Sequence, residues 1–293
     1  MKYRMRRCIN EKVYVDMKEL CKEVREIIDF ELDKAEEERT HKYCKNLRIT
    51  GVVLTVLIAA AGIFGCYCVY ADIHWGFYAF LAFAFLSVVL FKVYQAKNIT
   101  RLTRLTNDDC CVIKPLTAYV VMLQYSRRAK NYDTVLQCIG SMLFYMGRFK
   151  ECKAVAGLLE RYSDTNIGKS YRYSLLAMAA LLEKDSDTIL KCIEEIETLV
   201  SLSPELYVRE AYRIISKYPE ILKAEESSDY IKMEELLESD DAKTFTLKKV
   251  SANYRLYKVA AVAGMEAEAF EHRAFVIQNG GDTFYKKELE LID

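Results

Sequence analysis

The stretch ITGVVLTVLIAAAGIFGCYCVYADIHWGFYAFLAFAFLSVVLFKVY, from Ile49 to Tyr94, decides the fold of this chain. It holds one acidic residue, Asp72, and no Lys or Arg before Lys92. An α-helix needs about 20 apolar residues to cross the hydrocarbon core of a bilayer. The stretch is long enough for two such helices, which we place at residues 49–71 and 75–94, and their short connection predicts a tight transmembrane hairpin over residues 49–95.

The energetics of insertion favour this interpretation over a buried soluble core. The first run contains ten Ile, Val, Leu or Phe residues, which together favour insertion by about 3–6 kcal/mol. A soluble helix of this length with no polar stripe would be unusual. Aromatic residues gather at the two ends of the turn, as expected at a membrane interface: Tyr67, Tyr70, Trp75 and Tyr78.

Basic residues predict the orientation. Several Lys and Arg residues lie just before and just after the hairpin, whereas the turn has none. Because positive charge stays in the cytoplasm, both termini should be cytoplasmic, which makes the protein a two-pass integral membrane protein. We expect a bacterial cell membrane, an expectation that rests on no residue pattern. Lys plus Arg and Asp plus Glu both number 42, so there is no basic surplus of the kind that nucleic-acid binders carry.

Small residues form one face of the first apolar run. Ala61, Gly62, Gly65 and Cys66 recur at helical spacing, and the step from Ala61 to Gly65 permits close approach of another helix. Two explanations stand side by side. The face packs the two hairpin helices on each other, or it joins two copies of the chain into a homo-oligomer.

Residues 1–48 read as a charged cytoplasmic segment with an amphipathic helix. The apolar residues Val13, Met17, Leu20, Val24 and Ile27 follow a 4-3-4-3 spacing, which predicts one apolar stripe on a helix. This stripe should pack either on the C-terminal domain or on a second copy.

The chain beyond the hairpin reads as a linker, residues 96–114, and a helical domain, residues 115–293. Breaks rich in Asn, Asp, Ser, Gly or Pro separate amphipathic segments, and no segment has the alternation of a strand. The fold class is therefore all-α. The predicted helices are 115–129, 132–146, 149–162, 168–184, 187–201, 205–217, 229–239, 242–263 and 266–278.

The stretch Asp133 to Tyr162 resembles a tetratricopeptide repeat. Leu136, Ile139, Gly140, Leu143 and Cys152 fall at the family's spacings, and residues 147–152 resemble its helix-to-helix corner. The small residue Gly140 would admit a partner helix, Cys152 would replace the family's Ala, and Phe149 would cover the turn. The pattern departs from the family at Leu136, which is not Trp, and in the missing closing Pro.

A second unit of the same kind is predicted directly after the first. Its residues are Tyr173, Leu176, Ala177 and Ala180 on one helix and Ile189, Ile193 and Ile196 on the next. The resemblance implies stacked helix pairs with a concave surface that binds a peptide or helix of another protein. Whether helix 132–146 pairs with the helix before it or after it stays open, and so does a generic bundle of helical hairpins.

No motif of catalysis or cofactor binding occurs in the sequence. There is no HExxH, no Gly-rich phosphate loop, no GxGxxG and no GxSxG. The three His residues, His41, His74 and His272, are far apart, and the ten cysteines form no CxxC pair and read as small reduced core residues. We therefore name no catalytic, cofactor-binding or metal-binding residue and expect no enzyme.

These features lead to two functional hypotheses. The first is a membrane-tethered scaffold or adaptor whose helical domain binds a protein at the cytoplasmic face. The alternative is an accessory subunit of a transport or secretion complex that acts through its transmembrane hairpin.

Overall fold

The computed structural model describes residues 16–71, 73–126, 129–238 and 245–292, and every regular element in them is an α-helix. Val13 of the predicted stripe and Asp72 of the predicted turn lie outside the described residues. The predicted all-α class is confirmed for the described chain. The helices are α1 Met17–Ile27, α2 Lys34–Tyr70, α3 His74–Asn107, α4 Ile113–Tyr125, α5 Ala129–Tyr145, α6 Phe149–Tyr162, α7 Asn166–Glu183, α8 Ser186–Leu202, α9 Leu206–Ile215, α10 Tyr218–Ser227, α11 Tyr230–Leu237, α12 Thr246–Val262, α13 Glu266–Asn279 and α14 Phe284–Glu290.

Helix α1 packs on the C-terminal domain, the first of the two alternatives for its apolar stripe. The Asp16 carboxylate caps its N-terminus by accepting hydrogen bonds from the backbone N–H groups of Lys18 and Glu19. Leu20 and Val24 are completely buried in the core that α4, α5 and α6 also form. The segment is therefore an integral part of the domain.

The two long helices α2 and α3 form an antiparallel hairpin that reaches well beyond the apolar stretch. Helix α2 has 37 residues, a length of about 55 Å. Helix α3 runs to Asn107, so residues 96–107 of the predicted linker are helical. The reason is that residues 95–107 contain neither Pro nor Gly, and that Asn98 and Leu102 continue the buried face of the helix.

Successive helices of the domain pack in antiparallel pairs, α5 with α6 and α7 with α8, while α5 also contacts α7 and α7 contacts α9. Gly140 of α5 provides the close approach to the next pair, because a Cβ there would lie 2.5 Å from the Leu175 Cδ1 of α7. The thiol of Cys152 in α6 lies 3.9 Å from the Leu175 carbonyl oxygen. Gly140 and Cys152 thus both lie against Leu175 of α7.

Two helices were missed from the sequence. Helix α10 contains Pro219, which looked like a break, but the proline lies in the first helical turn, where its lack of an N–H costs nothing. Helix α14 follows the Gly280-Gly281 pair, where the sequence analysis places no helix. It is amphipathic, with Phe284, Tyr285 and Leu289 buried.

The end of the chain returns to the start of the helical domain. The Asp282 carboxylate accepts hydrogen bonds from the backbone N–H groups of Val112 and Ile113, at 2.6 and 3.2 Å, and so caps α4. Asp282 in turn donates its backbone N–H to the Cys110 carbonyl oxygen at 3.2 Å. The domain is therefore closed on itself rather than an open stack. Aromatic rings from α5, α6, α12 and α14 fill the junction: Phe144, Tyr145, Phe149, Tyr254, Phe284 and Tyr285.

Polar contacts fix the base of the hairpin to this domain. The Glu36 carboxylate of α2 is 5% exposed and forms an ion pair with the Arg101 guanidinium of α3, where Nη1 donates to Oε2 at 3.0 Å. Thr40 donates its hydroxyl to the same carboxylate at 3.1 Å. Just before α2, the Asp33 backbone N–H donates to the buried Thr117 hydroxyl of α4 at 3.1 Å. The orientation of the hairpin is thereby tied to that of α4.

Gly140→Leu should destabilise the protein by about 1–3 kcal/mol, because the added side chain would overlap the buried Leu175. Gly157 of α6 is the matched control, since no atom lies within 4 Å of a Cβ built there. Gly157→Leu should stabilise the protein by up to about 1 kcal/mol through helix propensity. Denaturant unfolding of the full-length protein, followed by circular dichroism, measures both; equal effects would contradict the close packing of α5 on α7.

Arg101→Met should cost about 3 kcal/mol, because it leaves the Glu36 carboxylate buried without its partner. The double variant with Glu36→Met as well should be closer to the wild type than Arg101→Met alone, since it removes both charges. The control is Lys22→Met, which breaks an exposed ion pair with Glu26 and should change the unfolding midpoint little. A double variant less stable than Arg101→Met would refute the buried pair.

Candidate membrane interface

The outward surface of the hairpin is a continuous apolar belt. In each long helix, only 11% of the most apolar 18-residue window is buried. These two helices are long and apolar enough to span a membrane. Their low burial also distinguishes them from the core helix of a soluble protein, which would be mostly buried. The most exposed members include Ile63 at 75%, Phe85 at 74% and Trp75 at 72%. A patch this large is far beyond what soluble monomers expose.

The inward faces of α2 and α3 meet along a seam of positions that lie three or four residues apart. The mean step is about 3.5 residues on α2, as in a left-handed coiled coil, but about 3.7 residues on α3. On α3 the seam changes in character toward the domain, from aromatic and small residues to polar ones. Its less exposed positions are Gly76, Phe80, Ala84, Ser87, Phe91, Gln95, Asn98 and Leu102 on α3, and Thr40, Cys44, Leu47, Gly51, Leu54, Ile58, Gly62, Gly65 and Cys68 on α2.

The glycines of α2 lie in this seam. A Cβ on Gly65 would lie 3.2 Å from the Phe80 side chain, and one on Gly62 would lie 3.5 Å from the same ring. At the tip, a Cβ on Gly76 would lie 2.5 Å from the Cys68 sulfur. The small face of α2 therefore packs the hairpin helices on each other. A homo-oligomer through Ala61, Gly62 and Gly65 remains a separate prediction.

Aromatic rings mark both ends of the belt. At the tip, Tyr67, Tyr70, Trp75 and Tyr78 are between 62% and 91% exposed. At the base, the rings of Tyr43 and Tyr94 lie 5.6 Å apart, and the Tyr43 hydroxyl donates to the Gln95 carbonyl oxygen at 3.2 Å. Amphipathic rings at these two levels suit the two headgroup regions of a bilayer.

The side chains capable of chemistry are dispersed. Within the described residues, no three His, Cys, Asp or Glu side chains lie close enough together to hold a metal ion. His272 of α13 lies between the Tyr230 hydroxyl, 2.8 Å from Nε2, and the Asn253 Oδ1, 2.7 Å from Nδ1. Burial lowers the pKa of His272, opposed by neighbouring glutamates, so it joins α11, α12 and α13 as a neutral group.

The described cysteines of the helical domain are buried or partly buried thiols. Burial raises the pKa of Cys152 to about 12 and that of Cys192 to about 11. Burial also raises the pKa of Cys110 to about 12, helped by the negative charges of Asp282 and two neighbouring aspartates. Such thiols stay protonated at neutral pH and are poor nucleophiles.

The helical domain exposes an apolar surface of its own, which the sequence analysis missed. Helix α9 presents Tyr207 and Ile214 seven residues apart, on one helical face, beside the end of α8. Tyr207 is 61% and Ile214 is 43% exposed, and large exposed apolar side chains that lie close together are typical of partner-binding surfaces. We define the α8–α9 ridge as Leu202, Leu206, Tyr207 and Ile214. Its signal is a second apolar face of α9, about 100° around the helix from the buried Val208 and Ile215.

Comparison of the chain with protein-family models, curated proteins and solved structures found no match.

Ile63→Arg should prevent stable insertion of the hairpin, because an arginine near the centre of the bilayer costs about 2.5–3.5 kcal/mol. Ile63 is 75% exposed in the hairpin and Ile231 of α11 is 78% exposed in the helical domain, so Ile231→Arg is a matched control that should be tolerated. The fraction of protein that stays in the membrane pellet after alkaline carbonate washing measures insertion. Equal pelleting of both variants would argue against a lipid environment for Ile63.

Proposed function

We propose that the protein is a membrane-tethered scaffold that binds a protein partner at the cytoplasmic face. The observation that carries the proposal is the exposed apolar belt on two helices that continue directly into a packed helical domain. Lipid contact would remove that belt from water, which provides the driving force for insertion. The hairpin then holds the domain at the membrane surface and raises its local concentration there.

The distribution of charge supports an orientation with both termini in the cytoplasm. Basic residues lie at the domain end of the hairpin, and none lies between Arg48 and Lys92. Translocating the domain end would carry those charges across the membrane, which the positive-inside rule disfavours. In this orientation the aromatic tip with Tyr70 and Trp75 faces the opposite side.

Helix packing supports the tetratricopeptide-like part of the proposal. The pairs α5–α6 and α7–α8 are antiparallel, and contacts of α5 with α7 and of α7 with α9 resemble the stacking of successive repeats. This pattern favours pairing helix α5 with the helix after it. Gly140 and Cys152, the small residues of the resemblance, lie at the contact between pairs.

The α8–α9 ridge is the surface that we assign to the partner. Its leucines and its tyrosine are exposed although other faces of the same helices are buried. Covering them with an apolar helix or peptide of another protein would remove several large side chains from water. A rigid aromatic such as Tyr207 is also a frequent anchor in interfaces.

A photoreactive phenylalanine analogue at position 207 should cross-link the partner in intact membranes. The same analogue at position 270 is the matched control, because Phe270 of α13 is 71% exposed and lies outside the ridge. The cross-linked band from position 207 should disappear when Leu206→Lys is added, since the lysine places a charge in the apolar contact. Mass spectrometry of the band then identifies the partner.

The same membranes test the orientation. A membrane-impermeant maleimide should label Ile73→Cys from outside the cells, and Ser186→Cys only after the cells are opened. The scaffold proposal fails if position 207 yields no band that Leu206→Lys abolishes. If the photoreactive analogue cross-links a partner only when it is placed in the hairpin, the result would favour the accessory-subunit alternative instead.

A further inference from the structure

The two long helices carry a dense group of basic residues directly below the apolar belt. No Asp or Glu occurs at residues 39–71 or 73–107, so no acidic residue of these segments offsets that charge. Arg101 is paired with the buried Glu36 and therefore belongs to the hairpin base. We define the basic collar as the remaining exposed residues, Arg39, Lys42, Lys45, Arg48, Lys92, Lys97 and Arg104.

The positive charge of the collar is uncompensated within the described chain. None of its side chains forms an ion pair with a described residue, in contrast to Arg25, Arg148 and Arg161 of the neighbouring elements. Lys42, Lys45 and Arg48 follow one another at three-residue steps on α2, where like charges repel and destabilise a helix. An external anion would relieve this repulsion.

A small open recess lies at the same level, between the two helices. It is lined by Asn46, Ile49, Thr50 and Tyr94. The side chains of Asn46 and Thr50 make no hydrogen bond to a described residue, so their polar atoms are available to a ligand. Ile49 and Tyr94 supply an apolar wall on the side of the belt. The recess therefore offers polar contacts beside the charges and apolar contacts beside the lipid region.

We propose that the recess and the basic collar together bind the headgroup of an anionic phospholipid in the cytoplasmic leaflet. The phosphate would interact with the collar, the remaining headgroup oxygens would accept hydrogen bonds from Asn46 and Thr50, and the first carbons of the acyl chains would lie on Ile49 and Tyr94. Basic groups at this depth attract anionic lipids. The inference rests on the proposed insertion of the hairpin, which places the collar at the level of the lipid phosphates.

The test uses full-length protein purified in a neutral detergent and mixed with equal amounts of phosphatidylglycerol and phosphatidylcholine. Native mass spectrometry then counts the lipids that remain bound. Wild type should retain phosphatidylglycerol about tenfold over phosphatidylcholine. The variant K42Q/K45Q/R48Q/K97Q should lose this preference, because it removes most of the positive charge beside the recess. A matched control removes four exposed lysines of the helical domain, K150Q/K169Q/K191Q/K223Q, and should keep it.

Two further experiments test the role of the recess and whether the ligand is a lipid. Asn46→Ala with Thr50→Val should lower phosphatidylglycerol retention about threefold while leaving all the charges in place. Inorganic phosphate at a concentration equal to the lipid should not displace the lipid, because it lacks the acyl chains that contact Ile49 and Tyr94. Displacement by phosphate would overturn the lipid assignment, and no effect of the recess variant would overturn the role of the recess.

The outcomes separate this proposal from the proposed function. If the protein requires detergent but retains both lipids equally, the hairpin still spans the membrane and only the lipid site is refuted. Preference that survives K42Q/K45Q/R48Q/K97Q also refutes the site. If the protein is stable and monodisperse without detergent, insertion itself is refuted, and the lipid site with it.

Discussion

The buried ion pair between Glu36 and Arg101 is the interaction on which the architecture depends, because it lies where the apolar hairpin becomes part of the domain. An unpaired charge in that position would cost several kcal/mol, so the two helices must stay in the register that joins these residues. That register also aligns the glycines of α2 with Phe80 and Phe91 of α3. One polar contact at the base and several close apolar contacts toward the tip thus specify a single alignment of the hairpin.

The helical domain also fixes the base of the hairpin. Helix α1 buries Leu20 and Val24 against the domain core, the turn before α2 is bound to α4 through Thr117, and α4 is capped by Asp282. The hairpin is thereby linked to both ends of the helical domain. A domain held this way would keep a fixed orientation toward the bilayer, so that a surface such as the α8–α9 ridge would face a constant direction.

Local physics explains which features could be predicted from the sequence. The apolar runs, the breaks and the stripe of α1 depend on residues close together in the chain, and helix α6 was placed at the residues where the structure has it, Phe149–Tyr162. Gly140 was correctly expected to admit a partner helix, although the sequence could not say that Leu175 would fill the space.

The features that escaped prediction depend on distant partners or on position within an element. Glu36 and Arg101 are 65 residues apart, and nothing local distinguishes them from the other charges of α2 and α3. The extension of α3 to Asn107 has a local cause, the lack of Pro and Gly, but the burial of Asn98 and Leu102 that supports it is visible only in the folded chain. Pro219 was misread because a proline stops a helix in its interior but suits its first turn. The α8–α9 ridge could not be predicted because the exposure of a side chain is determined only in the folded chain.

The cap that Asp282 places on α4 has a consequence for biosynthesis. Val112 leaves the ribosome 170 residues before the carboxylate that satisfies its backbone N–H. The backbone donors at the start of α4 can bond only to water until Asp282 has been made, so this cap forms late in synthesis. A chain that stops before Asp282 would lack this cap, so the backbone donors at the start of α4 would stay open to water and the helix would be less stable.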